Sequence, residues 1–196
     1  MITGLKPLVD GLTDTVRQMA EKTGLDKKMG NTDPGMMVIM DLMQFAMYLS
    51  ASDGEIRAEE AEQITAIFGT CIPASQIGKY IRNNNIYSTD FEKKVPMTMQ
   101  LMVAFDNAIY EQGLDKQVKT VSSEVLYKAF ELVGGAMITS DNNVAPQEKK
   151  DLEIYLCMLH NYMDTNLTIR KELTTGFTKT GEDITSERMM DIMDKM

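Results

Sequence analysis

The chain has a single histidine, two cysteines and no tryptophan among 196 residues. Two cysteines make no disulfide framework, so a reducing compartment is the expectation. One histidine leaves little room for a His-based catalytic or zinc centre. Basic residues are also scarce: 20 Lys and Arg stand against 29 Asp and Glu, a formal charge of −9. That sign opposes binding to nucleic-acid phosphates and docking on anionic lipid. No long apolar run is present. The most apolar stretch, 36–49, holds Asp41 and Gln44 and falls short of the ~20 residues a bilayer requires. The first 22 residues lack a basic region followed by an apolar core, so no signal peptide is read there. A cytoplasmic protein without membrane insertion is expected, and the sequon at Asn166 is idle there. GxSxG, Walker-A and GxGxxG patterns are missing, and the chain reads as a non-enzyme.

What is there is helical periodicity, with no run alternating as a strand. Leu5, Leu8, Val9, Leu12, Val16 and Met19 recur at three- and four-residue steps over 5–22, and Gly24 stops that helix. Asp33-Pro34 supplies an N-cap and N1 proline for 34–50, apolar nearly all round and therefore central. Further helices are expected at 58–68, 73–83, 96–112, 121–139 and 146–164, with a short piece at 89–94. In 58–68, Ile64, Ile67 and Phe68 are read inward and Glu59, Glu60 and Glu62 outward. Gly134-Gly135 inside 121–139 lowers helix propensity, and close backbone packing is the reason expected for it. A last helix is expected at 185–195, after a Thr-rich stretch at 165–184. Three regions follow: an N-terminal helix and loop, 1–33; a helical domain, 34–164; and a linker with an amphipathic helix, 165–196.

The chain resembles itself at an offset of 88. Ser52-Asp53 matches Ser140-Asp141, Gly54 matches Asn142, Ile56 matches Val144, and Glu60 matches Glu148. Gly and Asn are the residues that most easily take positive φ in a tight turn. Ile56 and Val144 are read as apolar plugs between helices. Ala58 and Pro146 suit position N1, which puts Glu60 and Glu148 at N3, where a carboxylate reaches back to the N-cap amide. That reading needs no ligand. The alternative makes Asp53, Glu60, Asp141 and Glu148 ligands of a divalent cation, Ca²⁺ or Mg²⁺ before zinc. An EF-hand is excluded, because Gly54 at loop position 6 would put Leu49 where a carboxylate is obligatory.

A helix, then Ala51-Ser52-Asp53-Gly54-Glu55-Ile56-x-x-Glu59-Glu60, then a helix, repeated in a second half, resembles the TerB-like family of tellurite-resistance proteins. The resemblance covers roughly 34–164. It implies an all-α, seven-helix domain with two similar halves, acids near the interhelical turns as metal ligands, and a place in stress-response or membrane-linked assemblies without enzymatic activity. The acids carried over are Asp53, Glu60, Asp141 and Glu148. The chain departs from the pattern at Asn142-Asn143, which replaces Gly-Glu, and in its N-terminal helix and last 32 residues.

Other constellations are weaker. Asp41, Gln44 and Tyr48 share a face of the central helix and read as a hydrogen-bonded stripe, or as an extension of the acidic pocket. Cys157-x-x-His160 offers two zinc ligands where structural zinc needs four, and Cys71 has no neighbouring ligand. Met36, Met40, Met43 and Met47 form a stripe read as core. Met189, Ile192, Met193 and Met196 form another, which either folds back onto the domain or docks on a partner. Two functions are expected: a TerB-like binding or scaffold protein responsive to a divalent metal, or a dedicated protein-binding adaptor, chaperone or immunity protein that uses the fold without metal. Both imply a protein partner.

Overall fold

The computed structural model describes residues 4–24, 27, 32–54, 56–84, 91–113, 121–140 and 144–168. Among them are seven α-helices, one 3-10 turn and no strand: α1 (Leu5–Thr23), α2 (Pro34–Ser50), α3 (Ala58–Phe68), α4 (Ala74–Asn84), the 3-10 turn Phe91–Lys93, α5 (Met97–Glu111), α6 (Ser122–Ile138) and α7 (Pro146–Asn166). The all-α expectation is met, with limits within two residues of those read from periodicity. The 185–195 helix and Asp141 lie outside the described residues.

Helices α2 and α6 form the centre. α2 packs on α1, α3, α5, α6 and α7, and α6 packs on α1, α3, α5 and α7 as well. The seam is aromatic: Phe45 meets Phe130 edge-on at 5.3 Å and stacks on Tyr155 at 4.4 Å. All three rings are almost wholly buried, and such pairs contribute about 0.5–1.5 kcal/mol each beyond area burial. α1 presents Leu5, Val9, Leu12, Val16 and Ala20 to this same core, so the N-terminal helix is part of the packed body.

Gly134 lets α6, α2 and α7 close together. A Cβ there would stand 2.4 Å from Leu152 Cδ1 and 3.2 Å from the Phe45 ring. Its neighbour Gly135 has nothing within 4 Å, so the pair expected to serve close packing does so through one member.

Acidic side chains hold the starts of five helices. Asp33 accepts the Gly35 amide at 2.9 Å at the start of α2 and pairs with Arg17 of α1 through Nε and Nη2. Asp41 on α2 accepts both the amide and the hydroxyl of Thr98 in the first turn of α5. Asp106 on α5 accepts the amides of Ser122 and Ser123, each at 2.8 Å, at the start of α6. Glu60 and Glu148 do the same for α3 and α7. Each joins a carboxylate to the positive end of a helix dipole.

Spacing by 88 recurs in the fold. α2 and α6 begin at 34 and 122 and end at 50 and 138; α3 and α7 begin at 58 and 146. Val38, Leu42, Phe45, Ala46 and Leu49 are buried, as are Leu126, Phe130, Val133, Gly134 and Met137, each 88 residues on.

Candidate functional site

The described first residues of the turns after α2 and α6 share two features. Ala51 and Thr139, the residues after each helix, share φ −110° and ψ near 5°. The Ser52 amide donates to Leu49 O at 3.0 Å, and the Ser140 amide to Met137 O at 3.1 Å. Gly54 has φ +88°, as its position requires. Arg57 and Ala145 then enter the next helix from extended backbone and lack an acceptor side chain for its amides. The glutamate at N3 takes over: Glu60 Oε2 accepts the Arg57 amide at 2.6 Å, and Glu148 Oε2 accepts the Ala145 amide at 3.2 Å.

This bond folds Glu60 back beneath the first turn of α3. The expectation that Glu60 points outward with Glu59 and Glu62 is therefore wrong: it is 1% exposed, and Glu148 is 3% exposed. The second apolar plug is also corrected. Ile56 packs against α4, with Cδ1 near Gly78, but Val144 is 45% exposed. Among the described residues no counterpart of α4 follows α7 to cover it.

Glu60 feels the charge of Glu148. The Glu60 carboxyl is pushed up to about 7, chiefly by burial and further by the charges of Glu148 and Asp53. The Arg57 amide and guanidinium pull the other way. Asp53 itself is bound to Arg57 Nη2 at 2.8 Å. The structure thus brings Asp53, Glu60 and Glu148 into one neighbourhood; Asp141 lies outside the described residues. Among the described residues no group of three or more His, Cys, Asp or Glu is arranged to hold a metal ion.

A second polar layer lies beyond the sites expected from the sequence. Gln63 and Asp151 stand 88 apart, one turn beyond Glu60 and Glu148, and both are buried. Burial raises the proton affinity of Asp151, against a hydrogen bond from Gln147 at 2.7 Å. Burial likewise drives the Tyr48 phenol upward, with Asp151 and Glu92 adding to it. Gln63 Nε2 has no hydrogen-bond partner among the described residues. The signal that could have found this layer is the three-residue spacing itself, which repeats the face of the capping glutamates.

The remaining expected sites disperse. Asp41, Gln44 and Tyr48 address separate neighbours: Asp41 binds Thr98 of α5, Gln44 donates to Tyr80 of α4 at 3.2 Å, and Tyr48 faces Asp151 and Glu92. Asp41 is raised by burial and held down by Thr98, and it serves α5 instead of the acidic turns. Cys157 accepts from Asn161 at 3.5 Å, while His160 Nδ1 faces Asp164 at 3.0 Å, so each partners a residue four further along α7. The first methionine stripe is only partly core: Met47 is buried, but Met36 and Met40 are about half exposed. Exposure falls along the helix, from Met36 and Met40 in its first half to Met47 in its second.

No helix among the described residues is long and apolar enough to cross a membrane. No family model matches the chain, and no curated protein and no solved structure matches it.

Proposed function

We propose that the chain is a non-enzymatic binding or scaffold protein of TerB-like type, made of two helical halves, whose paired acidic turns respond to a divalent cation. One observation carries the reading: helix limits, turn hydrogen bonds, buried positions and capping glutamates coincide at a spacing of 88. That coincidence is what a duplicated helix-turn-helix plan leaves behind. The cation response draws support from Glu60. A buried carboxyl that repels Glu148 and Asp53 gains from a positive charge beside it. Asp53, Glu60, Asp141 and Glu148 are the proposed ligands, and Ca²⁺ or Mg²⁺ the proposed ions, since all donors are hard oxygens. The partner is a protein, and the excess of acid disfavours nucleic acid.

A second reading has its own support. Asp53 is paired with Arg57, and both glutamates hold N-cap amides, so each described acid has a structural task without metal. In that reading the fold is an adaptor, chaperone or immunity scaffold. Thermal melts and calorimetry of chelator-treated protein with Ca²⁺ and Mg²⁺ separate the two. Heat of binding and a raised melting temperature at millimolar ion support the responsive module. No heat and no shift, with one-to-one co-purification of a protein partner, support the metal-free adaptor.

A further inference from the structure

The 3-10 turn Phe91–Lys93 lies over the seam between α2 and α7. Phe91 is half-buried, its ring tilted over Tyr48 of α2 at 4.9 Å and stacked on Tyr155 of α7 at 5.5 Å. Ring contacts at these distances attract beyond the area they bury. Glu92 follows, also half-buried, beside Lys150 and Ile154 of α7. Asp151 stands one helical turn before Tyr155 and is only 7% exposed. It accepts from Gln147 at 2.7 Å, and the Tyr48 hydroxyl bonds to it. A carboxyl group on α7 and another on the turn that crosses it therefore face the same buried phenol.

We propose that this turn is a proton-dependent strap, closed on α2 and α7 when Asp151 is protonated and loosened when Asp151 is ionised. Closing shields Asp151 from water and sets Glu92 beside it, and both effects favour the protonated acid. Gln147, Ser52 and Lys150 oppose them and are outweighed, so the proton affinity of Asp151 is raised. Tyr48 stays neutral, because burial and both carboxylates drive its phenol far upward. Of the other charges nearby, Lys93 and Lys94 of the strap are exposed, and Asp41 acts on Tyr155.

Lifting the strap relieves both costs at once, since Glu92 moves off and water reaches Asp151. The closed form thus holds the proton more tightly than the open one. Closing is favoured in acid and weakens as pH rises through the titration of Asp151 in the closed form. The strap also walls a groove along α7, with Ile154, Cys157 and Met158 opposite it, so its release alters that surface. None of this depends on whether the acidic turns take a cation.

The Lys94 amide donates to Phe91 O at 3.1 Å, so its hydrogen exchange reports whether the strap is formed. Exchange is followed by NMR in the full chain at pH 5 and pH 8 and expressed as protection relative to the intrinsic rate at each pH. Protection in the parent should fall roughly tenfold from the lower pH to the higher. It should stay high in Asp151→Asn, which keeps the shape of the side chain without its charge. Glu92→Gln, a half-exposed substitution on the strap, removes the repulsion and should raise protection at pH 8 about threefold over the parent. Glu60 titrates in all three proteins, so differences among them report the strap. An equal fall in the parent and the variants overturns the proposal, as does a parent equally protected at both pH values. Should Asp151→Asn fail to fold, the parent and Glu92→Gln decide by the same criterion.

Discussion

Glu60 and Glu148 each accept the backbone amide three residues before them, at 2.6 Å and 3.2 Å, and the charge of Glu148 raises the proton affinity of Glu60. Each therefore completes its own helix, and the two disturb one another. A carboxylate serving only as a cap at an exposed helix start gains from the dipole and binds protons weakly. Burial reverses that balance at Glu60.

A pH dependence follows. The Glu60 carboxyl sits at about 7 in the folded protein and 4.5 in its unperturbed state. The folded form holds the proton more tightly, so the stability contribution is full below 4.5 and is lost as pH rises through 7. Unfolding free energy should fall by about 2 kcal/mol between pH 5 and pH 8.5, after discounting for partial screening. Glu60→Gln keeps an acceptor for the Arg57 amide and loses the titration. Urea unfolding at the two pH values should show a flatter profile in the variant and a variant more stable than the parent at pH 8.5.

Gly54 has φ +88°, and a methyl group placed on its Cα would have nothing within 4 Å, so a side chain there meets strain and no clash. Gly54→Val should lower stability by ~1–2 kcal/mol. Gly54→Asn, better suited to positive φ, should lose less. Denaturant melts of the two variants give the comparison.

The two adjacent glycines of α6 should part company. Gly134→Ala forces a methyl against Leu152 and Phe45 and should destabilise by ~1–3 kcal/mol. Gly135→Ala gains helix propensity in open space and should stabilise by up to ~1 kcal/mol. Thermal unfolding of both variants tests whether packing or propensity governs each site.

Asp106 reaches from α5 to hold the first two amides of α6. Asp106→Ala leaves both unpaired in a half-buried place and should cost ~1–3 kcal/mol. Hydrogen exchange at Ser122 and Ser123 should quicken in that variant while the amides of α3 keep their protection.

Helix limits are legible in the sequence because the punctuation is strong: Asp33-Pro34, Gly69, Pro73, Pro96 and Pro146 sit where helices start or stop. The capping glutamates are legible for the same reason, as a three-residue spacing from the N-cap fixes their task. The burial of Glu60 is not legible. Its neighbours Glu59 and Glu62 are charged and exposed, and only the packing of α3 against α1, α2 and α6 decides the third. Asp41 and Asp106 cap helices distant in sequence, so no local pattern marks them. Apolarity alone makes Met36 and Met40 read as core, but thioethers on a helix say nothing about which neighbour covers them.

The most direct measurement is a carbon-detected NMR titration of the Glu60 side-chain carboxyl in the parent protein and in Glu148→Gln. A midpoint near 7 is expected in the parent and a lower midpoint in the variant, because a neighbouring charge has been removed from a buried carboxyl. A midpoint near 4.5 in both proteins would contradict the coupling of the two turns, since Glu60 would then be an ordinary solvated cap with no link to the other one.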